Sequence, residues 1–182
     1  MGHTAIRSDA RRNVERLLEA ALRVLGKDPG ASIEEVAAAS GIHRSTVYRR
    51  FPTRDALVQA LVARALSEVS ELVNVAAEGT PDEAKLQRLC LGVVSIGERY
   101  AFLQTHVQLS ELGPDPIGVR KLMRRYQRAG VIRTDMPAAW LASAFTAIGV
   151  ALFDDIHLPA MTPEDAARVF AQTFLTGARA QS

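Results

Sequence analysis

The apolar residues of this chain recur at the spacing of an α-helix along almost its whole length, and this periodicity constrains the fold more than any other feature. The clearest series is an amphipathic stripe flanked by charged residues, made of Val14, Leu17, Leu18, Ala21, Leu22 and Leu25. No segment alternates apolar and polar residues in the way that a half-buried strand does. The pattern therefore predicts an all-α protein.

Three short segments have the composition of a helix start. Residues 32–35 have the capping-box form, with a hydroxyl at the N-cap and a carboxylate three residues later. Residues 80–83 and 162–165 add a proline at the first helical position, where the missing N–H costs nothing. Together with the turn formers between them, these signals predict about nine helices. They are placed near residues 8–26, 33–39, 43–50, 53–77, 81–97, 100–112, 117–129, 137–156 and 163–179.

The segment from Ser32 to Leu57 has the layout of a helix-turn-helix. A short first helix is followed by Gly41, which suits the positive φ of a tight turn between helices. The second short helix places Val47 and Phe51 inward. Its other face carries polar and basic residues, namely His43, Arg44, Ser45, Thr46, Tyr48, Arg49 and Arg50. In such a motif the second helix enters the major groove of DNA, and arginines and small hydroxyls are suitable groups for contacting base edges there.

The charge distribution agrees with this interpretation without proving it. Residues 1–58 carry ten Lys/Arg against seven Asp/Glu, whereas residues 59–182 carry twelve against thirteen. A basic N-terminal part suits contact with phosphates. However, glycine turns also join short helices in bundles that bind no DNA, and basic residues on a helix are usually just solvated. The competing function is therefore a helical ligand-binding or interaction protein without DNA binding.

Residues 41–57, GIHRSTVYRRFPTRDAL, resemble the signature of the TetR family of transcriptional regulators, and the resemblance covers about residues 8–60. It implies a three-helix DNA-binding domain over residues 1–55 and a helical ligand-binding and dimerisation domain over residues 56–182. By the same resemblance, Arg44, Ser45 and Thr46 lie at or near bases, and Tyr48 and Arg49 at phosphates or flanking bases. The full set of implied DNA-binding residues is Ser32, His43, Arg44, Ser45, Thr46, Tyr48, Arg49 and Arg54. His43 and Arg49 depart from the usual family residues, so the operator sequence does not follow.

The resemblance further implies a repressor that a small-molecule ligand releases from a palindromic operator. The last two predicted helices each carry a broad apolar stripe, and we expect them to form a homodimer interface as a four-helix bundle. One stripe comprises Trp140, Leu141, Ala144, Phe145, Ile148, Ala151 and Leu152, and the other comprises Val169, Phe170, Thr173, Phe174 and Gly177.

A ligand pocket is expected among the middle helices. The candidate ligand-binding residues are Tyr100, Phe102, Leu103, His106, Met123, Tyr126 and Trp140. For most of them the competing interpretation is that they belong to the core, because an aromatic residue or methionine on an apolar helix face is usually core. Four arginines at helical spacing favour a solvated helix face over an anion site, namely Arg120, Arg124, Arg125 and Arg128.

The sequence contains no motif of an enzyme, a cofactor site or a paired-cysteine zinc site. Asp154, Asp155 and His157 are close in sequence, but charges at a helix end explain them without a metal. Residues 137–153 form an uncharged run of 17 residues, at the lower limit for a membrane span, and a buried interface is favoured instead. Cys90 is the only cysteine. It predicts a buried thiol rather than a redox sensor, and, with a polar and basic N-terminus, a cytoplasmic protein.

Overall fold

The computed structural model describes residues 2–106, 115–151 and 161–179, and confirms the all-α fold. Its α-helices are α1 Gly2–Leu25, α2 Ile33–Ser40, α3 Arg44–Arg50, α4 Arg54–Ala77, α5 Glu83–Arg99, α6 Val119–Arg128, α7 Ala138–Ala151 and α8 Pro163–Ala178. A 3₁₀ helix, Ala101–His106, follows α5. Within the described ranges, the β-type pairing is limited to one isolated antiparallel bridge between Ile132 and Arg179.

Helix α1 begins at Gly2 rather than near residue 8, and two later elements also differ from those predicted. The helix expected over residues 100–112 is a 3₁₀ helix in its described part. Tyr100 and Leu103 are both buried, and a three-residue spacing puts two side chains on one side of a 3₁₀ helix as well as of an α-helix. The second difference is that α5 begins at Glu83, because Asp82 rather than Thr80 acts as the cap. The Asp82 Oδ1 accepts a hydrogen bond from the Lys85 N–H at 2.8 Å.

The chain divides into two compact units. The first lies within Met1–Arg64 and Arg99–Val107, and the second within Ala65–Glu98 and Gln108–Ser182. The long helix α4 therefore contributes residues to both units. The predicted boundary between a DNA-binding domain (residues 1–55) and a ligand-binding and dimerisation domain (residues 56–182) concerns function, and it stays a prediction.

The first unit has a core built around the packing of α1 on α2. The apolar stripe of α1 is buried from Leu17 to Leu25 as its periodicity predicts, while Val14 is half-buried, and buried residues of α2, α3 and α4 belong to the same unit. The fully buried members of this core, each at most 2% exposed, are Leu17, Ala20, Ala21, Leu25, Val36, Val47, Leu57, Val58 and Leu61. The core fixes the position of α2 and α3, which carry the predicted DNA-binding residues.

The second unit has a core in which α6, α7 and α8 pack together with α4 and α5. Phe145 of α7 contacts two aromatic rings of α8, with ring centroids 4.7 Å from Phe170 and 5.1 Å from Phe174. A Cβ on Gly149 would lie 3.4 Å from the Phe170 ring, at the edge of ordinary van der Waals contact, so α7 passes close to this ring. Tyr126 is fully buried, and its hydroxyl donates to the backbone oxygen of Ala76 at 3.0 Å.

Part of the two apolar stripes predicted for a dimer interface belongs to the core of its own chain. Leu141, Phe145, Phe170 and Phe174 are all buried within the second unit. Other apolar side chains on the same helices are open to solvent, and Trp140 is 56% and Val150 50% exposed. Homodimer formation through these helices stays a prediction, and the exposed residues are the ones available for it.

Two alternative interpretations of the sequence, a membrane span and a metal site, concern α7 and the residues after it. No helix in the described ranges is both long enough and apolar enough to cross a membrane. A search of the same ranges finds no group of three or more histidine, cysteine or acidic residues that could hold a metal. Asp154, Asp155 and His157 lie outside the described residues, as does the side chain of His106.

Cys90 is buried in the second core, and we expect its thiol to be unreactive. It is 1% exposed, and burial raises the pKa of the thiol to about 12. Because the thiolate is the reactive form, Ellman's reagent should leave the native protein unmodified over an hour at pH 8. After unfolding in guanidinium chloride, one thiol per chain should react. Rapid modification of the folded protein would contradict the buried position and would revive the redox-sensor interpretation.

Candidate DNA-binding surface

The turn between α2 and α3 is closed by Ser40 and Gly41. Gly41 has φ +65° and ψ +21°, in the left-handed region where a side chain would be strained. The buried Ser40 hydroxyl donates to the Ala37 oxygen at 2.8 Å and accepts from the Ile42 N–H at 3.1 Å. These bonds set how the chain leaves α2 and enters α3, as the predicted helix-turn-helix requires.

Ser32 and Glu35 form the predicted capping box at the start of α2. The Ser32 Oγ accepts from the Glu35 N–H at 3.3 Å, while the Ser32 N–H donates to Glu35 Oε2 at 2.7 Å. Hydrogen bonds from the Ser32 backbone and hydroxyl hold the pKa of Glu35 below its usual value. Ser32 therefore stabilises the helix start, and its predicted contact with a DNA phosphate is a second role that remains a prediction.

Replacing Ser32 with alanine should lower the free energy of unfolding by about 1 kcal/mol, because the hydroxyl that accepts from the Glu35 N–H and donates to Glu35 Oε2 is lost. The measurement is equilibrium urea unfolding followed by circular dichroism. Ser143→Ala is a matched control, because Ser143 is an exposed helical serine that bonds only its own helix, at Ala139. An equal loss in both variants would contradict a capping role for Ser32.

Helix α3 presents the predicted recognition residues to solvent. Val47 and Phe51 are buried as predicted. The remaining predicted residues are exposed, except for Thr46 and Tyr48, which are half-buried. His43, which replaces a family serine or threonine, acts as the N-cap of α3. Its Nδ1 accepts from the Ser45 N–H at 3.3 Å and lies 2.7 Å from the Ser45 Oγ. His43 thus does for α3 what a hydroxyl does at other N-caps.

Glu34 of α2 contacts two of these residues, and the sequence analysis did not identify it. Its Oε1 accepts from Arg44 Nη2 at 2.8 Å and from the Tyr48 hydroxyl. The hydrogen bond from Tyr48 is the main cause that lowers the pKa of Glu34, a backbone hydrogen bond and the Arg44 charge act in the same direction, and the Tyr48 bond also raises the pKa of Tyr48. The Arg44 guanidinium also lies 5.2 Å from the centre of the Tyr48 ring. In the sequence, Glu34 stands out only as an acid beside the capping-box residue Glu35, and it was interpreted as part of the helix start.

Arg54, at the start of α4, bonds the loop before α2. Its Nε donates to the Ala31 oxygen at 3.2 Å, and its Nη2 donates to the Pro29 oxygen. These bonds use two of the five guanidinium N–H groups, and the others are left for a phosphate. Arg54 therefore fixes this loop, and its predicted contact with DNA is compatible with that role.

The arrangement suits contact with duplex DNA. Arg44 and Arg49 project as exposed cations from a short helix whose inner face is fixed by Val47 and Phe51. Guanidinium groups can pair with guanine or with phosphate, and small hydroxyls permit close approach to a base edge. The predicted residues of α3 lie outside its buried side at Val47, and Ser32 and Arg54 lie at the starts of the helices on either side, α2 and α4.

The predicted ligand-binding residues do not form one site within either unit. Tyr100, Phe102 and Leu103 belong to the first unit, where Tyr100 and Leu103 are buried. Met123 and Tyr126 are fully buried in the core of the second unit, so a ligand could touch them only after the core has rearranged. Trp140 lies on the surface of α7. Their contact with a ligand stays a prediction.

The second unit has an open groove of about 320 Å³ beside α6 and α7. Its wall combines apolar side chains with one acid, one arginine and two hydroxyls. The lining residues are Leu66, Asp115, Pro116, Ile117, Val119, Arg120, Ala139, Ala142, Ser143, Thr146 and Ala147. A mixture of apolar surface and a few polar groups is typical of small-molecule sites.

The chain is similar to known proteins over most of its length. Residues 17–61 match the profile of the bacterial regulatory proteins of the tetR family. The chain is 32% identical over 158 residues to the HTH-type transcriptional repressor LfrR of Mycolicibacterium smegmatis, which spans 81% of this chain and 82% of that protein. It is 28% identical over 175 residues to the HTH-type transcriptional regulator NfxB of Pseudomonas aeruginosa, spanning 90% of this chain and 93% of NfxB. The crystal structure of the TetR-like regulator LfrR from Mycobacterium smegmatis, in complex with proflavine, superposes with a TM-score of 0.63 at 23% identity, covering 94% of this chain and 97% of that one.

Proposed function

This chain belongs to the TetR family of bacterial transcription regulators, and on that basis we propose that it is a repressor which a small-molecule ligand releases from a palindromic DNA operator. Family membership makes it a regulator and not an enzyme. The observation that carries the proposal is the outer side of α3, where Arg44, Ser45 and Arg49 are exposed and Thr46 is half-buried on a helix whose inner side is packed through Val47. The name of LfrR, a transcriptional repressor, supports the direction of regulation.

We infer that the repressor acts as a homodimer through α7 and α8. Trp140 and Val150 leave large apolar surfaces on α7 that a second copy would cover. A two-fold dimer presents two recognition helices, so its operator should contain two inverted half-sites whose centres are about 34–36 Å apart, or a multiple of that distance. An operator with two inverted half-sites would therefore be evidence for the dimer as well as for DNA binding.

The effector is a small organic molecule that binds in the second unit and favours a conformation with weaker DNA affinity. The groove beside α6 and α7 is a candidate entry to its site. Because LfrR has been crystallised with proflavine, that compound is a suitable first probe. Calorimetric titration into the protein without DNA measures binding. Release from DNA is measured by adding the compound to the protein–operator complex. Operator DNA without protein is the control, because planar aromatic compounds themselves stack on bases.

The test of DNA binding is selection of bound sequences from random duplex DNA by the purified protein, at about 50 and 200 mM salt. Recovery of one palindrome, with affinity falling as salt rises, supports a dimeric operator-binding protein. Recovery of no site by a folded dimer would contradict the proposal. The function would then be ligand binding without DNA recognition, or DNA binding that needs the effector, and repeating the selection with proflavine separates these two.

A further inference from the structure

Glu34 joins the two helices of the helix-turn-helix through a single carboxylate oxygen. Its Oε1 accepts from Arg44 Nη2 at 2.8 Å and from the Tyr48 hydroxyl, and the guanidinium lies over the Tyr48 ring. Arg44 and Tyr48 are four residues apart, and this spacing puts them on the same side of α3. Three side chains on the candidate DNA-binding surface are therefore held as one group in the protein without DNA.

This group restricts what Tyr48 can do. A phenol has one proton to donate, and in this structure that proton goes to Glu34. A DNA phosphate offers only acceptors at neutral pH, so Tyr48 cannot bond a phosphate while it bonds Glu34. The resemblance to the TetR family implied a phosphate or flanking-base contact for this tyrosine, and Glu34 competes directly with the phosphate contact.

The group leaves Arg44 able to contact a base. A guanidinium has five N–H donors, and the bond to Glu34 uses one of them. The Arg44 side chain is 67% exposed, so donors other than the one that bonds Glu34 are accessible to a base. The bond to Glu34 already orients the guanidinium. Arg44 therefore loses less side-chain entropy when it pairs with a guanine than an unrestrained arginine would.

Glu34 also places a negative charge directly beside the exposed Arg44 of α3. The Tyr48 bond holds the pKa of this carboxyl below its usual value, so it is ionised at neutral pH. A carboxylate near DNA repels phosphates whatever the base sequence is, and this opposes non-specific binding. At a site with the right base, the contact made by the oriented arginine offsets that repulsion.

We propose that Glu34 is a specificity-determining residue of this regulator, which orients Arg44 towards a base and withholds Tyr48 from non-specific phosphate contact. The inference rests on the DNA-binding function proposed above. An acidic residue of α2 thus affects which base sequence is bound, through its hydrogen bonds to Arg44 and Tyr48 of α3.

A purely structural role for Glu34 predicts a different result. Exposed ion pairs contribute little to stability, and the Glu34 side chain is 43% exposed. If Glu34 only tied α2 to α3, its loss would lower the melting temperature slightly and weaken binding to every DNA sequence alike. The preference for one base at one position would not change.

The experiment compares wild type with Glu34→Gln, Arg44→Ala and the double variant, using full-length protein. Affinity is measured for the selected operator, for a scrambled duplex, and for operators changed symmetrically at each position. Glu19→Gln is the matched control, because Glu19 is also an exposed acid of the first unit paired with an arginine, Arg64, and neither of these lies on α3.

For Glu34→Gln we expect non-specific affinity to rise severalfold and the ratio of specific to non-specific affinity to fall about tenfold. The base preference that relaxes should be the one that Arg44→Ala relaxes, and the double variant should show no further relaxation. Glu19→Gln should keep the wild-type ratio.

An unchanged ratio in Glu34→Gln, or relaxation at a position that Arg44→Ala does not affect, would overturn the inference while the DNA-binding function stands. Failure of the wild type to select any operator would overturn both, so the two failures are distinguishable. If Glu34→Gln lowered affinity equally for all duplexes, the residue would be a structural tie and not a determinant of specificity.

Discussion

Arg44→Ala is expected to weaken binding to the selected operator by about 5- to 150-fold for each half-site, the loss that follows when a bidentate contact worth about 1–3 kcal/mol is removed. Arg44 projects from the first turn of α3, where recognition helices place their base-contacting residues. The preference for one base in each half-site should disappear, because alanine offers no donor. Fluorescence anisotropy with the operator and its single-position variants measures both effects.

Arg124→Ala separates base contact from a general loss of positive charge. Arg124 is an exposed arginine of α6 in the second unit, so its loss changes the net charge equally. We expect this control to keep the base preference and nearly all of the affinity. If Arg44→Ala lowered affinity by the same factor for every sequence, Arg44 would be a phosphate contact, and the assignment of its base contact would be wrong.

Phe170→Ala should lower the free energy of unfolding by about 3–5 kcal/mol, because it removes a fully buried ring and leaves a cavity. Phe170 contacts Phe145 and lies over Gly149, so its loss opens the packing of α7 on α8. Total stability of a domain is only about 5–15 kcal/mol, so the change should be visible as a large shift in the urea midpoint. Protein concentration is held constant, since association adds to apparent stability.

Gln172→Ala is the control on the same helix. Gln172 is exposed on α8, and surface substitutions usually change stability by less than about 0.5 kcal/mol. A loss below about 1 kcal/mol for Phe170→Ala would be too small for a closed aromatic core. It would indicate that α7 and α8 do not pack through these rings in the folded chain.

The helix-turn-helix could be predicted from the sequence because its determinants are local. The capping box at Ser32 and the left-handed Gly41 are fixed by residues within a few positions of themselves. The burial of Val36, Val47 and Phe51 follows from helical spacing. These features depend on backbone geometry and nearest neighbours, so a single sequence carries them.

Partners that lie far apart in the chain were not predictable in the same way. Glu34 was interpreted as part of a helix start, yet it bonds Arg44 and Tyr48, which are ten and fourteen residues away on another helix. Arg54 was expected to contact DNA, yet it also bonds backbone oxygens 23 and 25 residues earlier. Charged side chains are long and flexible, and only the packing of the helices decides which acceptor lies within reach.

The apolar faces of α7 and α8 show the same division between what the sequence determined and what the fold decided. Periodicity placed Phe145, Phe170 and Phe174 on apolar faces, and these residues are buried, but it put the exposed Trp140 and Thr173 on the same stripes. It could not say what covers each stripe. In the structure Phe145, Phe170 and Phe174 cover one another, while Trp140 remains open to a partner. Hydrophobic burial is non-directional, so it requires that an apolar face be covered, and only the tertiary arrangement selects the surface that covers it.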